Sequence, residues 1–452
     1  MPEHIDLSPN PKSHIKTLSR IGYNLNSAIS DIIDNSITAE SHNLFIEMDV
    51  VDEKAALVIK DDGYGMSEDT LINSMRIGCK DPSDIRGEFD LGRFGSGMKM
   101  ASFSQARKLT LISKCEKSNV HSVTWDLDLV EQKNAWKLIK HSERETERLC
   151  SKFNIDFGQS GTAVIWEDIS KYNGYLTAEL QAILGQDLAS LKNYVRLHFH
   201  KFMEGREAVK FYFNHQELEH FDPFLRNRNG YQEGPSQKFR VKKGGSIELR
   251  VHILPHESKL TKVDLDSLGG SDQITANQGL YVYRANRLII SGGWFGLTRL
   301  SQLGKLARVE VNVPTSLDEE WSTDVKKSSL EIPHKVKVKL KKLIREPIKR
   351  SQKTYRYRGR LEEANAFWKV NENEREKSIS YEISKDNTLL KKLLVTLNRE
   401  QASNLIEYLT HLSEEIPIHH IYEKMSSEPN QINQNDISYD DLLKGFKELW
   451  NK

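Results

Sequence analysis

Ala28-Ile29-Ser30-Asp31-Ile32-Ile33-Asp34-Asn35-Ser36 lies in the middle of a stretch, residues 14–40, that reads as one amphipathic helix. Leu25, Ala28, Ile29, Ile32 and Ile33 recur at steps of three and four, so they form a single apolar stripe that must pack on a core. Asp31 and Asn35, four apart, share the opposite side one turn above each other. A carboxylate there can orient a water for attack on phosphorus, and an amide oxygen is a hard ligand suited to Mg²⁺. The plainer alternative is the solvated face of a surface helix.

Downstream, Ile46, Met48 and Val50 alternate with Glu47 and Asp49, and a second strand runs from Ala56 into Asp61. The chain then breaks at Asp61-Asp62-Gly63-Tyr64-Gly65-Met66. A buried aspartate at a strand end can accept a hydrogen bond from an exocyclic amine such as that of adenine, and its glycines let a flat ring approach the main chain. An ordinary acidic turn has the same composition. A short helix is expected over Glu68–Met75, and a long polar loop from Ile77 to Gly92. That loop ends at Gly92-Arg93-Phe94-Gly95-Ser96-Gly97-Met98-Lys99, which opens a helix through about Ala106. Glycines turn several N–H groups to one point, and a helix N-terminus there suits phosphate, with Lys99 as an added cation. A flexible linker is the alternative. No buried strand precedes these glycines, because Ile85-Arg86-Gly87-Glu88-Phe89-Asp90 is polar, and this excludes a dinucleotide-binding βαβ unit. Strands follow at Lys108–Ser113, Ser122–Leu129, Ala135–Lys140 and, behind Ser160-Gly161, Thr162–Trp166. The order implies an α+β fold with helices on one face of a mixed sheet.

The bulk properties narrow the classes. A chain of 452 residues is too long for one core, and its net charge of +1 gives no global field toward nucleic acid or membrane. Cys79, Cys115 and Cys150 lie far apart, which speaks against a disulfide framework or zinc site and fits a reducing, cytoplasmic setting. The start lacks a basic segment followed by an apolar run, and no apolar run is of membrane-spanning length, so neither a leader nor a membrane anchor is expected. A second region has a helix near Leu191–Phe202, strands at Val209–Asn214, Leu280–Arg284, Arg287–Ile290 and Ala307–Val313, and a hairpin through Gly244-Gly245. A basic helix, Lys335–Ile348, and a mostly helical last hundred residues complete it, with an amphipathic helix at Tyr439–Trp450 that can dock a partner protein.

Taken as a set, Asp31/Asn35, Asp61-x-Gly63-x-Gly65, Gly92-to-Gly97 and Gly161-Thr162 resemble the GHKL ATPases, the superfamily of DNA gyrase B subunits, heat-shock chaperones, sensor histidine kinases and MutL proteins. Within it, Phe94–Lys99 and Leu280-Tyr281-Val282-Tyr283-Arg284-Ala285-Asn286-Arg287-Leu288-Ile289 look most like the MORC branch. The resemblance implies a Bergerat-type ATPase sandwich over residues 1–170, a transducer-like α/β domain over 171–348 and a mostly helical domain over 349–452. It implies ATP and Mg²⁺ as cofactors. The magnesium-binding asparagine falls on Asn35 and the adenine-reading aspartate on Asp61, backed by Gly63, Gly65, Met66 and Thr162. The phosphate cradle falls on Gly92, Arg93, Phe94, Gly95, Ser96, Gly97, Met98 and Lys99, with Ile77–Gly92 as the lid and Lys326 or Lys327 as the γ-phosphate sensor. One position departs: Asp31 stands where the family has a glutamate base. Aspartate reaches about 1.5 Å less far, and such a displacement costs on the order of 100-fold in rate, so hydrolysis is expected to be slow or absent.

The function implied is an ATP-dependent switch or clamp that dimerises through its ATPase domain, works on DNA or beside a nuclease-like partner, and by family analogy serves bacterial phage defence. A catalytically weak sensor or scaffold is the alternative. Lys349–Arg360, with Tyr355 and Tyr357 interleaved, is the expected contact to DNA. Lys335–Lys342 reads instead as the solvated face of a helix whose Ile332, Val336, Leu340, Leu343 and Ile344 make a core stripe. A sensor kinase is disfavoured because only His4 and His14 precede the ATPase segment. A folding chaperone fits the basic segment less well.

Overall fold

Two helices occupy the stretch expected to hold one. Asn10 caps and Pro11 opens α1 (Pro11–Leu18), and the Asn24 side chain accepts the Ser27 N–H to start α2 (Leu25–Thr38). The single helix over 14–40 is thus corrected by a break at Gly22-Tyr23-Asn24, where an asparagine cap outcompetes helix continuation. The computed structural model describes residues 9–20, 22–78, 97–234, 236–240, 245–301, 304–317, 332, 336–338, 340–341, 344, 367–373, 378–418 and 421.

Next come β1 (Asn43–Val51) and β2 (Lys54–Asp61), joined by Asp52-Glu53, both at positive φ as a tight hairpin requires. Leu44, Ile46 and Met48 face the core. The chain continues through α3 (Glu68–Ser74), α4 (Gly97–Gln105), β3 (Ala106–Lys114), β4 (His121–Asp126), α5 (Leu127–Lys133), β5 (Ile139–Lys140), α6 (Glu143–Lys152), β6 (Gly161–Ile169), α7 (Thr177–His198), β7 (Lys210–Phe213) and β8 (Gln216–Glu217). The strand expected over Ser122–Leu129 ends at Asp126, whose carboxylate caps α5, and only Ile139–Lys140 of the one expected over Ala135–Lys140 is extended.

These strands form one eight-stranded sheet in the order β5-β4-β3-β6-β2-β1-β7-β8. Only β1 and β7 pair in parallel, so the sheet is mixed, backed by helices as the α+β reading requires. The helical layer buries Ile15, Ala28, Ile29, Ile32, Ile33, Ala101, Phe103, Leu191 and Val195 against Leu57, Ile59, Leu109, Leu111 and Trp166. The opposite face is covered in part by Phe153, Ile155 and the half-buried Leu149 of α6, over Val58, Ile112 and Ile165.

A second sheet is built from β9 (Gln232–Glu233), β10 (Gln237–Arg240), β11 (Ser246–Ile253), β12 (Gly279–Arg284), β13 (Arg287–Ser291) and β14 (Ala307–Val313), with α8 (Lys262–Ser267) and α9 (Ser271–Ala276) between β11 and β12. Its order is β10-β11-β14-β12-β13, with β12 and β14 parallel and β9 paired to β11. Both sheets belong to one unit, residues 1–300 and 305–347; β7 and β8 carry the first sheet past residue 170.

A second unit comprises residues 301–304 and 348–452. It holds the antiparallel pair β15 (Trp368–Asn373) and β16 (Ser378–Ile383), then α10 (Thr388–Thr396) and α11 (Arg399–Glu414), which packs on β16. The hairpin is a strand pair that the reading of these residues as mostly helical does not include. Among the described residues, no helix is long and apolar enough to cross a membrane.

Candidate functional site

The α2 helix carries three acid or amide positions within five residues, Asp31, Asp34 and Asn35. Asp31 and Asp34 are buried, whereas Asn35 is exposed. Ser36, next to Asn35, donates its hydroxyl to Asp61 Oδ2 at 2.8 Å. Asp61 ends β2 and lies opposite Thr162 on β6. Its Oδ1 accepts the N–H groups of Gly63 at 3.0 Å and Thr162 at 3.3 Å. Burial pushes this carboxyl up to about 6, against the pull of those three hydrogen bonds. A buried carboxylate fixed by short donors is rigid and costly to leave charged, which suits it to an incoming amine donor.

The glycines here answer to space. Gly65 has φ +68, and a Cβ there would fall 1.9 Å from the Lys114 carbonyl oxygen; one at Gly63 would fall 2.6 Å from that of Ala39. The Ser113 hydroxyl accepts the Met66 N–H at 2.9 Å and lies 2.9 Å from Thr162 Oγ1, stitching β3 and β6 to the Asp61 turn. Ser36 and Ser113 were not among the residues expected from sequence. Their signal exists only in register, since Ser113 pairs with Thr162 across strands 49 residues apart.

Asp31 faces the start of α4. A Cβ on Gly97 would lie 3.2 Å from Asp31 Oδ2, so the helix N-terminus and the carboxylate are neighbours. Asp31 Oδ2 also accepts the Tyr23 hydroxyl at 2.9 Å. Its Oδ1 lies 3.7 Å from Arg287 Nη1, which pairs closely with Asp34 Oδ2. Arg287 is the site residue whose side-chain role sequence reasoning missed. It sits on β13, and no local pattern ties it to a helix 253 residues away. Burial alone would lower its pKa; Asp34 and Asp31 outweigh that and raise it. Lys99 is buried, and its ammonium donates to the Ser74 carbonyl at 2.7 Å, tying α4 to the end of α3. Met98 is half-buried against the core.

The structure thus places two groups along α2: Asp61, Gly63, Gly65, Met66 and Thr162 cluster near Ser36 and Ala39 at its C-terminal end, Gly97 lies against Asp31 at its middle, and Asn35 is exposed on the helix between them. Gly92, Arg93, Phe94, Gly95, Ser96, Lys326, Lys327, Lys349–Arg360 and Tyr439–Trp450 lie outside the described residues, as does the expected lid beyond Gly78. An exposed amide oxygen on α2 fits Mg²⁺, which takes few protein ligands and completes its shell with water and phosphate oxygens. Elsewhere, His200, Glu204 and His220 form a metal-compatible cluster, but Arg226 Nη2 lies 2.5 Å from Glu204 Oε1 and competes for that oxygen.

Residues 23–162 match the family model described as histidine kinase-, DNA gyrase B-, and HSP90-like ATPase. The chain is 28% identical over 108 residues to the ATPase morc-1 of Caenorhabditis elegans, covering 24% of this chain and 11% of that protein. It is 24% identical over 174 residues to the MORC family CW-type zinc finger protein 3 of Mus musculus, covering 32% of this chain and 18% of that protein. The chain spans less than a fifth of the length of either relative. A mixed sheet backed by helices, an aspartate at the end of its β2 strand and these likenesses agree: residues 23–162 resemble a GHKL-type ATPase domain, and the curated proteins they are similar to are of the MORC branch.

Proposed function

We propose that the chain binds ATP with Mg²⁺ and uses it as a slow conformational switch. Asp61 would read the adenine amine, Asn35 would ligate the ion, and the glycine run Gly92–Gly97 with the α4 N-terminus would hold the phosphates. The magnesium supplies charge neutralisation to the phosphates. Asp31 would orient the attacking water, held by Tyr23 and steered by Arg287. Lys326 or Lys327 would sense the γ-phosphate. The observation that carries this reading is the Asp61 carboxyl, buried and fixed by Ser36, Gly63 and Thr162 one helical step from Asn35. The test is equilibrium binding of ATP and phosphate release by the full chain, with Asn35→Ala as control. A parent protein that binds no ATP ends the proposal.

We extend it to dimerisation through the ATPase domain, to DNA contact through Lys349–Arg360 and to a partner protein at the C-terminal helices, with phage defence as the setting. The MORC-like assignment and the cluster of cations support this. Salt-sensitive DNA binding that survives replacement of Lys349, Arg350, Lys353 and Arg356 by alanine removes the assignment of DNA contact to this segment, and a parent that binds no DNA removes the DNA assignment itself.

One observation favours a non-catalytic sensor as second reading. Asp31 is a methylene shorter than glutamate and already pairs with a buried arginine. Dimerisation on ATP without turnover, unchanged by Asp31→Asn, would decide for it.

A further inference from the structure

We propose that Arg287 is the positioning residue through which the second sheet governs hydrolysis at α2. This rests on reading α2 as an ATPase centre with Asp31 as its base.

The hairpin between β12 and β13 turns through Ala285 and Asn286, both left-handed, so Arg287 leaves the turn in a fixed direction. Its side chain is fully buried. The guanidinium carbon stands 5.2 Å from the centre of the Phe199 ring. One nitrogen, Nη1, is shared by two carboxylates of the same helix. Asp34 takes the close contact. Asp31 stays at 3.7 Å, an attraction without a short hydrogen bond, while Tyr23 fixes its other oxygen. The arginine therefore orients Asp31 toward the α4 start without monopolising it.

That arrangement makes the base depend on β13. Any displacement of the second sheet draws Nη1 from α2 and releases the carboxylate that faces Gly97. A misplaced base forfeits turnover while leaving adenine recognition at Asp61 intact, because Asp61 takes its donors from Ser36, Gly63 and Thr162 instead. The coupling is carried by one side chain with defined partners on both sides.

The experiment compares the full-length parent, Arg287→Gln, Arg287→Lys and the double variant Arg287→Gln/Asp34→Asn. The double variant removes one positive and one negative charge, so the buried cluster keeps its net charge. Affinity is read with a fluorescent ATP analogue, turnover by phosphate release. We expect the double variant to bind within about threefold of the parent while kcat falls by about 10- to 100-fold. Arg287→Lys should recover part of the kcat lost in Arg287→Gln. A double variant with parental kcat, or one whose affinity and kcat fall together, overturns the inference. A parent that binds no ATP defeats the underlying site reading instead, and the two failures are told apart by the parent's own titration.

Discussion

Arg287 and Asp34 are an ion pair with neither side chain more than marginally exposed, joining strand β13 to helix α2. Buried pairs bring little net stability over a hydrophobic replacement, yet removing one partner strands a charge. Arg287→Ala should therefore cost about 3–5 kcal/mol, and Asp34→Asn in the same background should return a large part of it. Urea unfolding of the two variants measures both. Equal loss in the single and double variants would show that the pair does not dominate.

Asp61 gives a pH signature. Its carboxyl sits at about 6 in the fold against an ordinary value of 3.8, so the folded state holds a proton that the unfolded state has released. Between those values stability falls as pH rises, and above about 6 the full cost of the buried charge, up to about 3 kcal/mol, is in place. Asp61→Asn abolishes that cost. The unfolding free energy of the variant relative to the parent should rise from pH 4 to pH 7. A flat difference contradicts the assignment. The amide also turns one acceptor oxygen into a donor, so nucleotide affinity should drop at least about 10-fold.

What the sequence revealed follows from which forces are local. The α2 stripe of Leu25, Ala28, Ile29, Ile32 and Ile33 is buried as its spacing demands, and the β1/β2 hairpin follows its alternation. Caps are written locally too, at Asn24 and in the Ser142/Glu145 capping box of α6, a helix that hydrophobic spacing alone does not mark. The β15/β16 hairpin was hidden because charged Lys369, Glu372 and Glu382 dilute the alternation of Ile379, Tyr381 and Ile383. Asp31 and Asn35 sit four apart on one helix, but the alternative of a solvated face does not describe Asp31 and Asp34, which are buried beside a guanidinium that arrives from β13. Such a contact carries no periodicity, and register and long-range pairing alone disclose it.

Gly65 tests the close approach at the Asp61 turn. Its φ of +68 is strained for a side chain, and a Cβ would collide with backbone at Lys114, which has no rotamer to yield. Gly65→Ala should destabilise by about 1–3 kcal/mol or more and weaken nucleotide binding, because the Met66 N–H would leave Ser113. Thermal melting and the fluorescent-nucleotide titration read the two effects. A parental melting temperature would mean that the turn relaxes freely.

Asn35 separates metal binding from stability. It is exposed on α2 while Asp31, Asp34 and Ser36 around it are buried, so its side chain contributes little to packing. Alanine is the stronger helix former, and Asn35→Ala should leave stability within about 0.5 kcal/mol of the parent, with a gain more natural than a loss. Adenine recognition through Asp61 does not pass through this amide. The variant should therefore bind adenosine as the parent does, yet lose the increment that Mg²⁺ adds to ATP affinity. Isothermal titration of adenosine, ATP and ATP with Mg²⁺ resolves the three terms. A variant that keeps the full magnesium increment removes Asn35 as the ligand, because the alanine side chain offers no oxygen to the ion.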